Sequence, residues 1–167
     1  VVIRIGDPPV SKVVNQWLAR CGAEQIAVTQ QPTLIDPDKI VTTHIVGSFN
    51  ELFMEMSRGT QAKPESEWIS AWKQSERHAR TALDAQFSES NHLTEPLCAV
   101  TVSDSLEPGS NLVVSSSMPV RDLEWFAPAR DGVRVFSNRG VNGIDGVVST
   151  AVGVALSSKA PTALLIG

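Results

Sequence analysis

Short apolar runs typical of strands alternate with segments of helical periodicity along this chain, and no other feature restricts its fold as much. The runs have the continuous apolar character of strands buried on both faces of a parallel sheet. Between them, apolar residues recur at the 3.6-residue spacing of a helix. This alternation predicts an α/β fold with doubly wound, mostly parallel sheets. The predicted strands are residues 1–6, 25–29, 42–46, 111–115, 133–137 and 162–167, and the predicted helices begin after Ser11 and Ser48 or span residues 65–87, 95–106, 123–126 and 144–157.

A polar segment, residues 88–92, separates two such runs of alternation and is the predicted domain boundary. Residues 1–88 then form one unit and residues 92–167 a second. The sequence starts and stops inside apolar strands, at Val1 and at Gly167. Because strand edges and apolar faces exposed in this way are unfavourable, we expect the chain to be an internal piece of a longer protein. Whether it folds alone stays open.

Composition argues against several classes of function. The formal net charge of −4 provides no basic surface for nucleic acid, and no apolar run approaches the ~20 residues of a membrane span. The chain has two cysteines and three histidines, and neither set has the spacing of metal ligands. The sequence therefore predicts no nucleic-acid partner, no membrane span and no metal site.

Residues 137–146, with the sequence SNRGVNGIDG, join a predicted strand to a predicted helix. The glycines allow a ligand to approach the backbone closely, and the free N–H groups at a helix start attract anions. Arg139 adds a planar guanidinium suited to a carboxylate or a phosphate. The spacing matches neither GxGxxG nor a Walker A sequence. The alternative is a simple tight turn with a locally paired arginine.

Residues 115–122, with the sequence SSSMPVRD, occupy the equivalent position one strand earlier. Three hydroxyls and exposed amides suit an anionic group, and Arg121 is a second cation. The alternative is a serine turn that caps the next helix, with Arg121 paired to Asp122 or Glu124. Two such loops side by side predict a pocket for a substrate with more than one carboxylate. Lys12, in the first turn of an earlier helix, either faces an anionic ligand or is simply exposed.

These motifs resemble those of a known family, the thiamine diphosphate (ThDP)-dependent 2-succinyl-5-enolpyruvyl-6-hydroxy-3-cyclohexene-1-carboxylate (SEPHCHC) synthases, or MenD family. Residues 115–122 resemble the signature NSMPIRD, and residues 137–146 resemble SNRGxxGIDG almost letter for letter. Residues 2–18 resemble the family's middle domain, and the resemblance extends from end to end of the chain. It implies that residues 1–88 are the later part of that middle domain. Residues 92–167 would then be the start of the pyrophosphate-binding domain.

The resemblance implies an enzyme of menaquinone or phylloquinone biosynthesis that uses ThDP and Mg²⁺. Members of the family decarboxylate 2-oxoglutarate and add the succinyl unit to isochorismate by 1,4-addition. Their catalytic glutamate lies in an N-terminal domain that these residues do not include, and their metal motif would begin with an aspartate after Gly167. We therefore expect no catalytic residue and no metal ligand in this chain, and no activity from the chain alone.

The resemblance also implies roles for individual residues. Substrate would be held by Arg121 and Arg139, which bind its carboxylates, and contacted by Ser117 and Lys12. Ile144 would be the apolar wedge that bends the cofactor. Ser116 departs from the family, which usually has Asn there. The residues that would contact ThDP are Ser116, Ser117, Met118, Asn142, Gly143 and Ile144.

Two other interpretations stay open from the sequence. Another ThDP-dependent carboligase or decarboxylase would share the wedge at Ile144 but not the paired arginines. A non-catalytic α/β ligand-binding module would need neither. For the longer protein, the resemblance implies small-molecule substrates, a homo-oligomer, and a location in the cytoplasm, or in the plastid stroma if the source is a plant.

Overall fold

The computed structural model describes residues 1–61, 63–138 and 143–167, which form two compact units, Val1–Glu67 and Trp68–Gly167. Each unit contains a three-stranded parallel sheet with helices between its strands. The predicted α/β class with parallel sheets is therefore confirmed. No helix in the described ranges is both long enough and apolar enough to cross a membrane.

The first unit has its strands in the order β1-β2-β3. The hydroxyl of Ser11 begins the first helix by accepting a hydrogen bond from the N–H of Val14 at 3.3 Å, as predicted. Ser48 also precedes a helix, but its side chain makes no capping hydrogen bond. The elements are β1 (Val2–Ile5), α1 (Lys12–Arg20), β2 (Gln25–Thr29), β3 (Thr43–Val46) and α2 (Phe49–Gly59).

A buried ion pair ties β1 to the long connection between β2 and β3. Nη1 of Arg4 lies 3.4 Å from Oδ1 of Asp36, and Nη2 of Arg4 donates to the carbonyl of Ile35 at 3.0 Å. Oδ2 of Asp36 accepts a hydrogen bond of 2.9 Å from the N–H of Val41. These bonds hold a loop without regular structure against the first strand.

The second unit has its strands in the order β5-β4-β6, so β4 lies at the centre. All four residues of β4 are buried; strands flank both of its edges, and α6 packs against it. The core of the unit joins Val113 of this strand to Val147 and Ala151. The elements are α3 (Glu67–Glu89), α4 (Glu95–Asp104), β4 (Asn111–Val114), α5 (Met118–Phe126), β5 (Arg134–Ser137), α6 (Val147–Ser158) and β6 (Thr162–Leu165).

Helix α3 packs on α5 through its C-terminal half. Nη1 of Arg80 donates to the carbonyl of Phe126 at 2.6 Å, and the rings of Phe87 and Phe126 meet edge to face at 6.2 Å. These contacts explain why the second compact unit includes nearly all of α3, whereas the predicted boundary lies after it, at residues 88–92. The assignment of the two parts to the middle and pyrophosphate-binding domains stays a prediction.

The strand register brings the ends of the three strands of the second unit to one edge. Val114 is aligned with Ser137 of β5 and with Leu165 of β6. The turns after β4 and β5 therefore leave from the same edge, where open α/β sheets bind their ligands. The turn after β4 is shorter than predicted, because α5 begins at Met118. Proline fits the first turn of a helix, so Pro119 starts this helix instead of ending the loop.

Candidate functional site

The turn after β4, residues 115–118, has an unusual backbone. Ser115 is buried and its N–H donates to the carbonyl of Leu165 at 2.9 Å, which anchors the turn to β6. Ser117 has φ +78° and ψ −126°, a conformation that residues with side chains rarely adopt and that costs on the order of 1–3 kcal/mol. Its hydroxyl makes no capping hydrogen bond with α5. The hydroxyl of Ser117 is therefore not used by the helix that it precedes.

The turns that follow β4 and β5 touch each other. The hydroxyl of Ser116 donates a hydrogen bond of 3.1 Å to the main-chain carbonyl of Asn138. A methyl group on Gly143 would collide with the Ser116 hydroxyl and would lie 2.9 Å from the Asn138 carbonyl oxygen. A glycine is therefore required at position 143 for the loops to approach this closely.

Ile144 lies between this contact and helix α6. The sequence predicts α6 from residue 144, but the helix begins at Val147, because Gly146 precedes it with φ +72°. Val147 takes the first core position at 3% exposure, whereas Ile144 is 64% exposed. Ile144 is thus an apolar side chain at the surface of the site, not the first core residue of its helix.

Arg121 projects from the first turns of α5 and is exposed. Its Nη1 lies 3.9 Å from the sulfur of Met118, which is itself 39% exposed. The structure records no ion pair between Arg121 and either Asp122 or Glu124. The alternative in which Arg121 is occupied by local pairing is therefore wrong, and its guanidinium can meet an anionic ligand.

Three of the residues predicted for the site cannot be placed in this cluster. Arg139 and Asn142 lie outside the described residues. Lys12 is the exposed first residue of α1 and belongs to the first unit. The structure thus brings together Ser116, Met118, Gly143 and their neighbours Ser117, Arg121 and Ile144 along one edge of the second sheet.

Asp122 is a feature of this region that the sequence prediction treats only as a partner for Arg121. It is 3% exposed, and its Oδ1 has no hydrogen-bond partner in the part of the chain that the structure describes. Burial, and then the nearby carboxylate of Glu95, raise the pKa of Asp122 above its ordinary value of 3.8. No local pattern in the sequence signals this burial, because it arises where α5 packs against α4. In the described ranges, no group of three or more His, Cys, Asp or Glu residues is arranged to hold a metal ion.

Comparison with known proteins relates the chain to one kind of enzyme, although no protein-family model matches it. It is 40% identical to the 2-succinyl-5-enolpyruvyl-6-hydroxy-3-cyclohexene-1-carboxylate synthase of Myxococcus xanthus, over 100% of this chain and 28% of that protein. It is 36% identical to the synthase of the same name from Staphylococcus haemolyticus, over 99% of this chain and 29% of that protein. It is 33% identical to the synthase of the same name from Trichodesmium erythraeum, over 93% of this chain and 27% of that protein.

The chain spans under a third of the length of these relatives. The similarity nevertheless covers both of its compact units and both of the turns that meet at the edge of the second sheet. The chain therefore belongs to the SEPHCHC synthase family.

Proposed function

We propose that the full-length protein to which these residues belong is a ThDP- and Mg²⁺-dependent SEPHCHC synthase. It decarboxylates 2-oxoglutarate and adds the succinyl unit to isochorismate by 1,4-addition, as a step of menaquinone or phylloquinone biosynthesis. The observation that carries this proposal is the similarity to SEPHCHC synthases along the whole chain, at 40% identity for one relative. The contact of the two loops at one sheet edge supports it.

The turn at residues 115–118 fits the diphosphate of ThDP. The first N–H groups of an α-helix have no partner within the helix and carry the positive end of its dipole. Helix α5 presents such groups directly after the turn, and the Ser117 hydroxyl is not used as a cap. ThDP, when bound, supplies the carbanion-stabilising chemistry that decarboxylation of a 2-oxo acid requires.

Arg121 and Arg139 would hold the carboxylates of the substrates. A guanidinium binds a carboxylate through two parallel hydrogen bonds, which fixes its orientation as well as its position. Exposure of Arg121, and the absence of an ion pair with its neighbours Asp122 and Glu124, support this role. Lys12, the first residue of α1, stays a predicted substrate contact of the full-length protein.

Ile144 would support the aminopyrimidine ring of ThDP, with contacts from Met118 and from the backbone of Asn142 and Gly143. An isoleucine that is 64% exposed on a loop leaves apolar surface in water, and a bound ring would cover that surface. The Mg²⁺ ligands and the catalytic glutamate would come from other parts of the full-length protein. No metal-binding cluster exists among the residues described in this chain.

Purified full-length protein tests the proposal when it is supplied with ThDP, Mg²⁺, 2-oxoglutarate and isochorismate. We expect CO₂ release that requires the cofactor, and a product whose mass equals that of isochorismate plus 2-oxoglutarate minus CO₂. Leaving out isochorismate should suppress most of the turnover. Failure to form this adduct, with CO₂ release from pyruvate instead, would favour another ThDP-dependent carboligase or decarboxylase.

A further inference from the structure

The connection between β2 and β3 is a loop, where parallel strands are usually joined by a helix. Residues 30–42 contain neither helix nor strand, whereas α1 makes the corresponding connection between β1 and β2. Ordered loops longer than about 12 residues are uncommon in compact domains unless they have a function. The buried ion pair of Arg4 and Asp36 holds this loop against β1. Because such a pair is often no more stabilising than apolar residues of the same volume, its main effect is to fix the position of the loop.

The loop and the ends of the strands enclose a crevice of about 410 Å³ within the first unit. This volume lies in the range of roughly 300–1,000 Å³ that is typical of small-molecule sites. The crevice lies at the carboxyl edge of a parallel sheet, where open α/β sheets bind their ligands. Its lining includes Asp7 after β1, Gln30 and Gln31 after β2, Ile35 from the loop, and Phe49 at the start of α2.

Hydrogen bonds fix two walls of the crevice. The hydroxyl of Thr29 donates to the carbonyl of Gln31 at 2.5 Å. Because a hydroxyl has one proton, Nε2 of His44, which lies 2.7 Å from the same oxygen, is the donor in the second bond. Nη2 of Arg4 donates to the carbonyl of Ile35 at 3.0 Å. The crevice therefore has its shape before a ligand arrives, as most small-molecule sites do.

The polar side chains of the crevice suit an uncharged ligand with hydroxyl groups. None of the described residues that line it is Lys, Arg or His, so it offers no cationic side chain to a phosphate or a carboxylate. The carboxylate of Asp7 only accepts hydrogen bonds, and its two oxygens suit two hydroxyls on adjacent carbons. The carboxamides of Gln30 and Gln31 both donate and accept. In the part of the chain that the structure describes, these three side chains make no recorded hydrogen bond or ion pair.

The same crevice has apolar surface for the flat face of a ring. The ring of Phe49 is half-buried, and Ile35 is 50% exposed although its loop is held in place. A bound ring would cover both side chains and remove their apolar surface from water. A ligand with hydroxyls on one side and a flat face on the other therefore matches the whole lining.

We propose that this crevice binds an uncharged ring that carries two adjacent hydroxyl groups, the chemistry shared by the ribose of a nucleoside and by a free sugar. Asp7 accepts hydrogen bonds from the two hydroxyls, the two glutamines bind the remaining polar groups, and Phe49 and Ile35 cover the ring. Every residue of the crevice belongs to the first unit, whereas the loops proposed to bind ThDP belong to the second. Binding in the crevice therefore needs no ThDP and does not depend on the proposed function.

Calorimetry of the full-length protein tests this site with adenosine and D-ribose, each compared with its 2-deoxy form. We expect a Kd below about 1 mM for at least one of the two, and binding at least about tenfold weaker for its 2-deoxy form, which lacks one of the adjacent hydroxyls. Tighter binding of adenosine than of D-ribose identifies a nucleoside as the occupant, and equal or tighter binding of D-ribose identifies a free sugar.

Asp7→Asn keeps the shape of the side chain but loses the charge and one acceptor, so it should weaken binding by a similar factor. Asp38→Asn is the matched control, because Asp38 is exposed in the same loop and does not line the crevice. It should bind as wild type does. Absence of saturable binding of both compounds up to about 10 mM would overturn the proposal. So would equal affinities for the ligand and its 2-deoxy form, or an Asp7→Asn variant that binds like wild type.

Discussion

The hydroxyl of Ser116 and the main-chain carbonyl of Asn138 form a 3.1 Å hydrogen bond between the turns that follow β4 and β5. The two residues are 22 positions apart in the sequence, and the parallel register of their strands brings them to one edge. Gly143 approaches the same hydroxyl from the far end of the second loop. One contact therefore aligns both segments that are proposed to bind cofactor and substrate.

Replacing Gly143 with alanine should separate the two turns. The new methyl group would collide with the Ser116 hydroxyl and with the Asn138 carbonyl, and both atoms are held by their mutual hydrogen bond. We expect a loss of about 1–3 kcal/mol in the free energy of unfolding, and at least tenfold weaker ThDP binding in the full-length protein. Urea unfolding and calorimetry measure the two effects.

Gly153→Ala is the matched control for this substitution. Gly153 lies inside α6, and a methyl group there has no atom within 4 Å. Alanine favours the helix over glycine by up to about 1 kcal/mol, so stability should stay equal or rise. If both variants behave alike, the approach of Gly143 to Ser116 is not what aligns the loops.

Ile144→Ala should lower turnover more than stability. The side chain is 64% exposed, so its removal leaves little internal cavity. If it positions the cofactor ring, misplacement by about 1 Å can reduce kcat on the order of 100-fold. Val147→Ala, at a core position of 3% exposure, should show the opposite pattern, with a loss of about 1–3 kcal/mol in stability. Near-normal kcat together with a large stability loss for Ile144→Ala would contradict the wedge role.

Periodicity in the sequence predicts most elements of this fold to within a few residues, and β2 matches its prediction at Gln25–Thr29. The predictions differ from the structure where the conformational preference of a single residue competes with the periodicity. With Pro119 in its first turn, α5 begins at Met118, which is earlier in the chain than predicted. The left-handed backbone of Gly146 makes α6 begin later than predicted, at Val147. At Ser48 the sequence has a preferred capping residue, but the structure shows no capping bond from its side chain.

The loops of the candidate site could be predicted from residue type, but two of their properties could not. Burial of Asp122 contradicts the usual exposure of aspartate, and it depends on packing of α5 against α4 that no local pattern encodes. The contact between Ser116 and Asn138 depends on the register of β4 and β5. Such a contact cannot be predicted from either loop alone, because it follows from the way in which the strands pair.

Asp36 should make the first unit sensitive to acid. Burial alone would raise the pKa of Asp36, but hydrogen bonds from the N–H groups of Val41 and Ile40 and the guanidinium of Arg4 outweigh it and hold the pKa below 3.8. A lowered pKa gives stability that is present above the ordinary value and is lost as the pH falls through the lowered one. We expect the urea midpoint to fall below about pH 4, and to fall less in Asp36→Asn.

The burial of the Arg4–Asp36 ion pair, not the distance between its charged atoms, should decide how much it contributes to the free energy of unfolding. Asp36→Ala at neutral pH leaves Arg4 buried without its partner, at a cost on the order of 3 kcal/mol. Glu55 and Arg58 approach more closely, at 2.9 Å, but both are over 70% exposed, so Glu55→Ala should cost less than about 1 kcal/mol. Equal losses in urea unfolding would contradict the structural importance of the Arg4–Asp36 pair.

Arg121→Ala in the full-length protein should impair the use of substrate far more than the binding of cofactor. The guanidinium is exposed beside the turn and forms no ion pair with Asp122 or Glu124, and loss of its hydrogen bonds to a carboxylate costs about 1.5–3 kcal/mol. Arg121→Lys keeps the charge but loses the planar fork, so it should recover only part of the loss. Arg134→Ala, at an exposed position on β5, is the control and should behave as wild type.

The decisive measurement compares kcat/KM for 2-oxoglutarate and isochorismate with the Kd of ThDP in wild type and Arg121→Ala. If Arg121 holds a substrate carboxylate, kcat/KM for at least one dicarboxylate should fall by about 10- to 150-fold, while the Kd of ThDP changes by less than about threefold. An unchanged kcat/KM for both substrates would contradict the proposed site, and so would an equal weakening of substrate use and of ThDP binding.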